Sequence, residues 1–199
     1  MIRTMTRISI GCLLSSAMLL SGMVFADVSG VAPGIPEPNQ RNEYPLVLVH
    51  GWIGWDRDEL GGYKYWGGKQ DLQEHLTNVK HYETHTAAVG PISSNWDRAC
   101  ELYAYLKGGR VDYGAAHAAK YGHDRFGRVY PGILRDWGTP GKHQKIHLIT
   151  HSMGGQTARQ LIQLLAEGDA AERQYPYKPE DSLPSMSCST GVAETGYTV

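Results

Sequence analysis

Apolar residues in this chain fall into a few short continuous runs and a few helical stripes, separated by polar, glycine-rich stretches. Tyr44 to Val49 reads Tyr-Pro-Leu-Val-Leu-Val with no polar alternation and ends at His50-Gly51. That pattern predicts a strand buried on both faces, as in a parallel sheet. Asp71 to Lys80 places Leu72, Leu76 and Val79 on one helical face, and Tyr82 to Ala88 has strand character. Ser94 or Asn95 can cap a helix running to about Lys107, with Trp96, Ala99, Cys100, Tyr103 and Leu106 as its stripe and Gly108-Gly109 as its stop. Val111 to Tyr130 shows no period and is expected to be irregular. Lys145 to Thr150 predicts another apolar strand, and Gln156 to Ala166, with Leu161, Ile162, Leu164 and Leu165, predicts a helix. Strands alternating with helices imply an α/β fold with a parallel sheet flanked by helices.

The two ends differ from this body. Arg3 and Arg7 precede a mostly apolar run from Ile8 to Phe25, and Val24-Phe25-Ala26 offers a small-residue exit. Residues 1–26 therefore read as a secretory signal peptide, and the expected location is extracellular. Cys12 lies near the start of the apolar run instead of after it and so does not mark a lipoprotein site. Residues 27–43, rich in Pro and Gly, read as a flexible leader; 44–175 read as the folded domain; 176–199, rich in Pro, Ser, Thr and Gly, read as a coil tail. Without the signal, Cys100 and Cys188 remain, too few for a disulfide framework. Cys100 sits in a helical stripe and reads as a buried apolar residue. The formal net charge is −1, without the basic surplus of a nucleic-acid binder.

Candidate chemistry lies at the two strand ends. Thr150-His151-Ser152-Met153-Gly154-Gly155 directly follows one predicted strand and precedes a predicted helix. A serine on such a turn projects its hydroxyl above the sheet, and small residues two before and two after it let strand and helix pass closely. Gly154 meets the second requirement; Thr150, larger and β-branched, departs from the first and asks the turn to open slightly. The alternative is a Ser–Gly turn that merely caps the helix. His50-Gly51-Trp52 ends the other strand. Acyl transfer needs donors for a developing oxyanion, and the backbone N–H groups of Met153 and Trp52 are the candidates.

Four stretches carry a resemblance: Leu48-Val49-His50-Gly51 with Trp55; Tyr63-Lys64-Tyr65-Trp66-Gly67-Gly68; the run Gly90-Pro91-Ile92-Ser93-Ser94-Asn95-Trp96-Asp97-Arg98-Ala99-Cys100-Glu101; and Val111 to His117. From about Tyr44 to about Gln174 the chain resembles the zinc-containing bacterial lipases of family I.5, relatives of the staphylococcal lipases. The resemblance implies an α/β-hydrolase fold and Ser–Asp–His catalysis on acylglycerols at a lipid–water interface. Ser152 then matches the nucleophile and Trp52 and Met153 the oxyanion positions; the family tolerates a residue other than glycine at the place of Thr150. It implies zinc held by two Asp and two His, of which Asp97, His117 and His123 match three, with Trp96 as a motif aromatic. It admits calcium in full-length members. Spacing alone singles out none of these ligands, which read otherwise as a helix-cap aspartate and surface histidines.

The family order is Ser, then Asp, then His, and no histidine follows His151 in the 199 residues. Asp169 and Asp181 are the acids on offer. The chain is expected to carry a truncated fold with a partial sheet, lacking the catalytic Asp, the catalytic His and the fourth zinc ligand, and to be inactive by itself. Glu101 and Asp124 are the substitutes for that ligand. The abrupt loss of pattern after Tyr175 suggests a shifted reading frame or a truncated gene product, with a natural short form as the alternative. The competing functions are a carboxylesterase for short esters and a non-catalytic zinc- or lipid-binding remnant.

Overall fold

The computed structural model describes residues 42–137 and 145–176. The signal peptide, nearly all of the leader, and the tail from residue 177 lie outside the described residues.

The elements run β1 (Leu46–Val49), α1 (Leu72–Asn78), β2 (Thr84–Ala87), α2 (Asn95–Lys107), β3 (Gly109–Asp112), α3 (Ala115–Tyr121), β4 (Phe126–Tyr130), β5 (His147–Thr150), α4 (Met153–Glu167) and α5 (Ala170–Gln174). The main sheet is parallel with order β2-β1-β5. Its middle strand explains the unbroken apolar run: Val47, Leu48 and Val49 are each 0% exposed, because both faces of β1 are covered. Val47 and Val49 join the main core, which gathers Ala87 of β2, Ala99, Leu102, Tyr103 and Leu106 of α2, and Leu161, Leu164 and Leu165 of α4. Each such buried aliphatic side chain stabilises the fold by ~1.5–3 kcal/mol relative to exposure.

The apolar stripe of α4 is the row Thr157, Ala158, Leu161, Leu164, Leu165, one face at helical spacing; Ile162 is exposed. The helix begins three residues earlier than the apolar pattern indicates, since Met153 directly follows the serine. Ser94 caps α2 by accepting from Asp97 N–H, as a serine at that position should.

The expectation of irregularity between Val111 and Tyr130 is not met. This stretch holds α3 and the antiparallel pair β3–β4, bulged between Arg110 and Asp112. It lacks an apolar period because polar contacts hold it. Arg125 makes two hydrogen bonds to the Asp112 carboxylate, at 2.9 and 2.7 Å, and its guanidinium lies 4.6 Å from the Phe126 ring centre. Bidentate geometry and ring stacking are what arginine supplies and a hydrophobicity pattern cannot register.

Candidate active site and metal centre

β1 and β5 pair in register from Leu46↔His147 to Val49↔Thr150, so both strands end at the same sheet edge. His50-Gly51-Trp52 and His151-Ser152-Met153 therefore leave that edge side by side, where open α/β sheets place their sites. A Cβ on Gly51 would stand 2.8 Å from Ser152 Cβ and 3.0 Å from His151 O. Only glycine permits that approach.

Ser152 has φ 52° and ψ −124°, a backbone conformation rare for any residue but glycine. It occupies the N-cap position of α4, yet its side chain makes no capping hydrogen bond. The hydroxyl is thus not spent on the helix, which is what the capping alternative requires. Backbone strain of this kind costs on the order of 1–3 kcal/mol and persists only where surrounding packing enforces it. Gly154 supplies that packing: a Cβ there would lie 2.3 Å from Val49 O and 2.9 Å from His50 O. Thr150 is accommodated from the other side, its Oγ1 lying 3.6 Å from a Cβ placed on Gly155.

Four buried or half-buried polar side chains fix this edge. The Tyr65 hydroxyl accepts from Gly51 N–H at 3.0 Å and is hydrogen-bonded to His151 Nδ1 at 2.5 Å, joining the two strand-end segments. Trp55 and Trp66 flank its ring at centroid distances of 5.2 and 5.6 Å. Arg98, fully buried, donates from Nε to Thr157 Oγ1 at 3.0 Å and from its two terminal nitrogens to the carbonyls of Gly90 and His50. Glu101 completes the grip by accepting from Gly90 N–H and, at 2.9 Å, from the Tyr113 hydroxyl. His50 is also fully buried, with Nδ1 2.8 Å from Gly51 O and Nε2 3.1 Å from Val89 O. Burial holds its pKa below the usual histidine value, against the two carbonyls and with the help of the Arg98 charge. Both ring nitrogens are aimed at carbonyls, so this histidine serves the loop.

Substituting Tyr65 by Phe should leave Gly51 N–H without its acceptor and cost about 1 kcal/mol. Urea unfolding measures this; an unchanged midpoint would show that the hydroxyl fixes nothing.

The second cluster lies at the start of α2. Asp97 Oδ1 is buried and has no hydrogen-bond partner. It stands 3.2 Å from His117 Nε2 and 3.8 Å from His123 Nε2. The three ligand-type atoms lie within 4.8 Å of one another. Ser94 Oγ donates to Asp97 Oδ2 at 2.9 Å, turning the bare oxygen inward. His123 Nδ1 lies 2.9 Å from Asp124 O, which turns its Nε2 toward the cluster. Trp96 stacks on His117 at 4.6 Å with an interplanar angle of 4°, and its Nε1 donates to Tyr113 O at 2.7 Å. Burial lowers the His117 pKa, opposed by Asp97 and reinforced by His123, which favours the neutral ring a metal requires. A cavity of about 570 Å³ opens beside the cluster.

The proposed substitutes for a fourth ligand are not brought in. The Glu101 carboxylate is engaged by Gly90 and Tyr113, and Asp124 meets His123 through its backbone carbonyl. Asp169, one of the two acids on offer, caps α5 by accepting from Ala171 and Glu172 N–H. Asp181 lies outside the described residues. Sequence reading assigns no role to Tyr65, Arg98 or Glu172. The signal available was a polar residue inside an otherwise apolar helix, as for Arg98 in α2.

A family model described as "Lipase-like, C-terminal domain" matches residues 42–184. The chain is 51% identical over 145 residues to Lipase 1 of Staphylococcus aureus, covering 69% of this chain and 20% of that protein. It is 51% identical over 142 residues to a lipase of Staphylococcus epidermidis, covering 68% of this chain and 20% of that protein. The chain thus spans about a fifth of the length of these curated relatives. Among solved structures, Lipase 1 from Pelosinus fermentans is 55% identical with a TM-score of 0.69, covering 76% of this chain and 38% of that one. EstA from Clostridium botulinum is 56% identical with a TM-score of 0.66, covering 77% and 35%. Staphylococcus hyicus lipase is 44% identical with a TM-score of 0.64, covering 78% and 41%.

Proposed function

Since the chain belongs to the lipase-like C-terminal domain family, we propose that it forms the nucleophile-bearing part of a secreted triacylglycerol lipase, with Ser152 attacking the ester carbonyl. The observation that carries this is Ser152 itself: a strained serine between a parallel strand and a helix, at the sheet edge, with a hydroxyl not used as a cap. The oxyanion would be received by the N–H groups of Trp52 and Met153, on the two segments that Gly51 and Tyr65 bring together. Preorganised donors of this kind supply roughly 3 kcal/mol each toward the transition state.

An apolar rim supports a water-insoluble substrate. Ile53 N–H donates to Pro91 O at 2.8 Å, joining two loops that expose Trp52, Ile53 and Ile92 together. Export is supported by the basic start and apolar run before Ala26. Two imidazoles and a carboxylate oxygen without a hydrogen-bond partner suit zinc better than calcium, which takes oxygen ligands. Asp97, His117 and His123 would hold it, where it serves as a cross-link between α2 and the α3 segment. Calcium finds no support in this donor set.

The serine needs a base to take its proton, and residues 152–199 contain no histidine. By themselves the 199 residues are therefore expected to turn esters over only at a trace rate, and a zinc-binding remnant is the second reading, favoured by the converging cluster. p-Nitrophenyl esters of short, medium and long acyl chains test the first statement: robust turnover would overturn it, and a short-chain preference would favour a carboxylesterase. The nucleophile is tested by joining the matched region to the remainder of the 55%-identical Pelosinus lipase. In that hybrid Ser152→Ala should cost on the order of 10⁶ in kcat and abolish fluorophosphonate labelling. Undiminished labelling would end the assignment.

A further inference from the structure

The fold holds a buried carboxylate that neither cluster uses. Glu172, on α5, is 0% exposed. Its two oxygens accept from His117 N–H at 2.7 Å and Ala116 N–H at 3.2 Å. These are first-turn amides of α3, whose own N-cap residue, Gly114, provides no side-chain acceptor. A Cβ on Gly114 would lie 2.2 Å from Glu172 Oε1, so the missing side chain is the space the carboxylate fills.

We propose that Glu172 is the positioning residue of the metal centre, holding the first turn of α3 and thereby setting where the His117 imidazole stands against Asp97 and His123. The proposal rests on the metal reading given above. A seven-residue helix does not hold itself in water, because its nucleation cost exceeds what so few hydrogen bonds return. α3 must be fixed from outside, and Glu172 does so from far along the chain. Two things then determine His117: its backbone is bonded to Glu172, and its ring is stacked on Trp96. α5 follows α4 across Gly168 alone, with Asp169 as its cap. The helix that starts at the serine therefore ends, one short turn later, on the residue that presents a metal ligand.

The test uses the 199-residue chain, with zinc affinity measured by competition against a chromophoric chelator and amide exchange followed at Ala116 and His117. The unaltered chain should bind one equivalent, and His117→Ala should lose it. Glu172→Gln should weaken binding by about 10- to 100-fold, the usual effect of losing a group that orients a ligand, with faster exchange at both amides. Leu165→Ala loosens α4 from the core without touching the cluster; it should lower the unfolding temperature and leave the affinity of the folded chain unchanged. If Glu172→Gln does not fold, Glu172→Asp keeps the charge but retracts it by one methylene and should show the same loss. Failure of the unaltered chain to bind zinc would overturn the metal reading. Zinc binding that His117→Ala loses while both Glu172 variants match the parent would overturn the role of Glu172 alone.

Discussion

Gly154→Ala is expected to destabilise the chain by about 3 kcal/mol and to abolish whatever reactivity Ser152 has, whereas Gly155→Ala should be neutral or stabilising. The two glycines are neighbours in sequence and in one helix, so helix propensity favours alanine at both, by roughly 1 kcal/mol. What separates them is what the new methyl meets. At Gly154 it would be 2.3 Å from Val49 O and 2.9 Å from His50 O. Those atoms belong to the end of β1, whose neighbours on both sides hold it by ladder bonds, and Val49 O also accepts from His151 N–H at 3.2 Å. Neither strand nor helix can yield without breaking the register that sets Gly51 beside Ser152. Overpacking ordinarily costs ~1–3 kcal/mol, and a backbone contact belongs at the upper end. At Gly155 the nearest atom is Thr150 Oγ1 at 3.6 Å, an ordinary contact. Urea unfolding of both variants decides the matter; equal midpoints would mean that strand and helix do not approach as described.

Arg98→Met should cost about 3–5 kcal/mol, a large fraction of the ~5–15 kcal/mol that holds a domain of this size. Methionine fills most of the volume, so the effect isolates the guanidinium. Its loss strands the carbonyls of His50 and Gly90 and removes the donor to Thr157. Each buried group left without a partner costs ~1–3 kcal/mol. Arg98→Lys should recover only part of this, since one ammonium cannot reach all three acceptors in the directions a planar fork does. The damage should centre on the site, because the three acceptors lie at the ends of β1 and β2 and on α4. Amide exchange at Gly51 and Gly154 should rise more than at Leu102. A Met variant as stable as the parent would show that water satisfies these carbonyls.

Both predictions turn on contacts that a hydrophobicity pattern does not contain. β1, β5, α2 and α4 were legible because each is built on an apolar run or stripe, and those elements suffice to place Ser152 beside Gly51. β3, α3 and β4 were not, since Arg125, Asp112 and glycines with positive φ shape them. α5 was not, being five residues of Ala-Ala-Glu-Arg-Gln that are defined by the Asp169 cap and the Glu172 contact. Arg98, Glu172 and Tyr65 share one reason for silence: each is a polar side chain whose partners are remote in sequence, so its role exists only once the chain has closed. The convergence of Asp97, His117 and His123 came from resemblance; spacing could not give it, because the hairpin and α3 that fold the distance away were themselves unreadable.

The outer strand β5 carries a consequence for handling the molecule. Among the described residues it pairs only with β1, and His147, Ile149 and Thr150 are exposed along it. Such an edge offers a row of amides and carbonyls to any extended segment that arrives, including the same edge of another copy. Shelf life of the purified chain should therefore depend on concentration more steeply than on temperature, and dilute storage should preserve it where cooling does not.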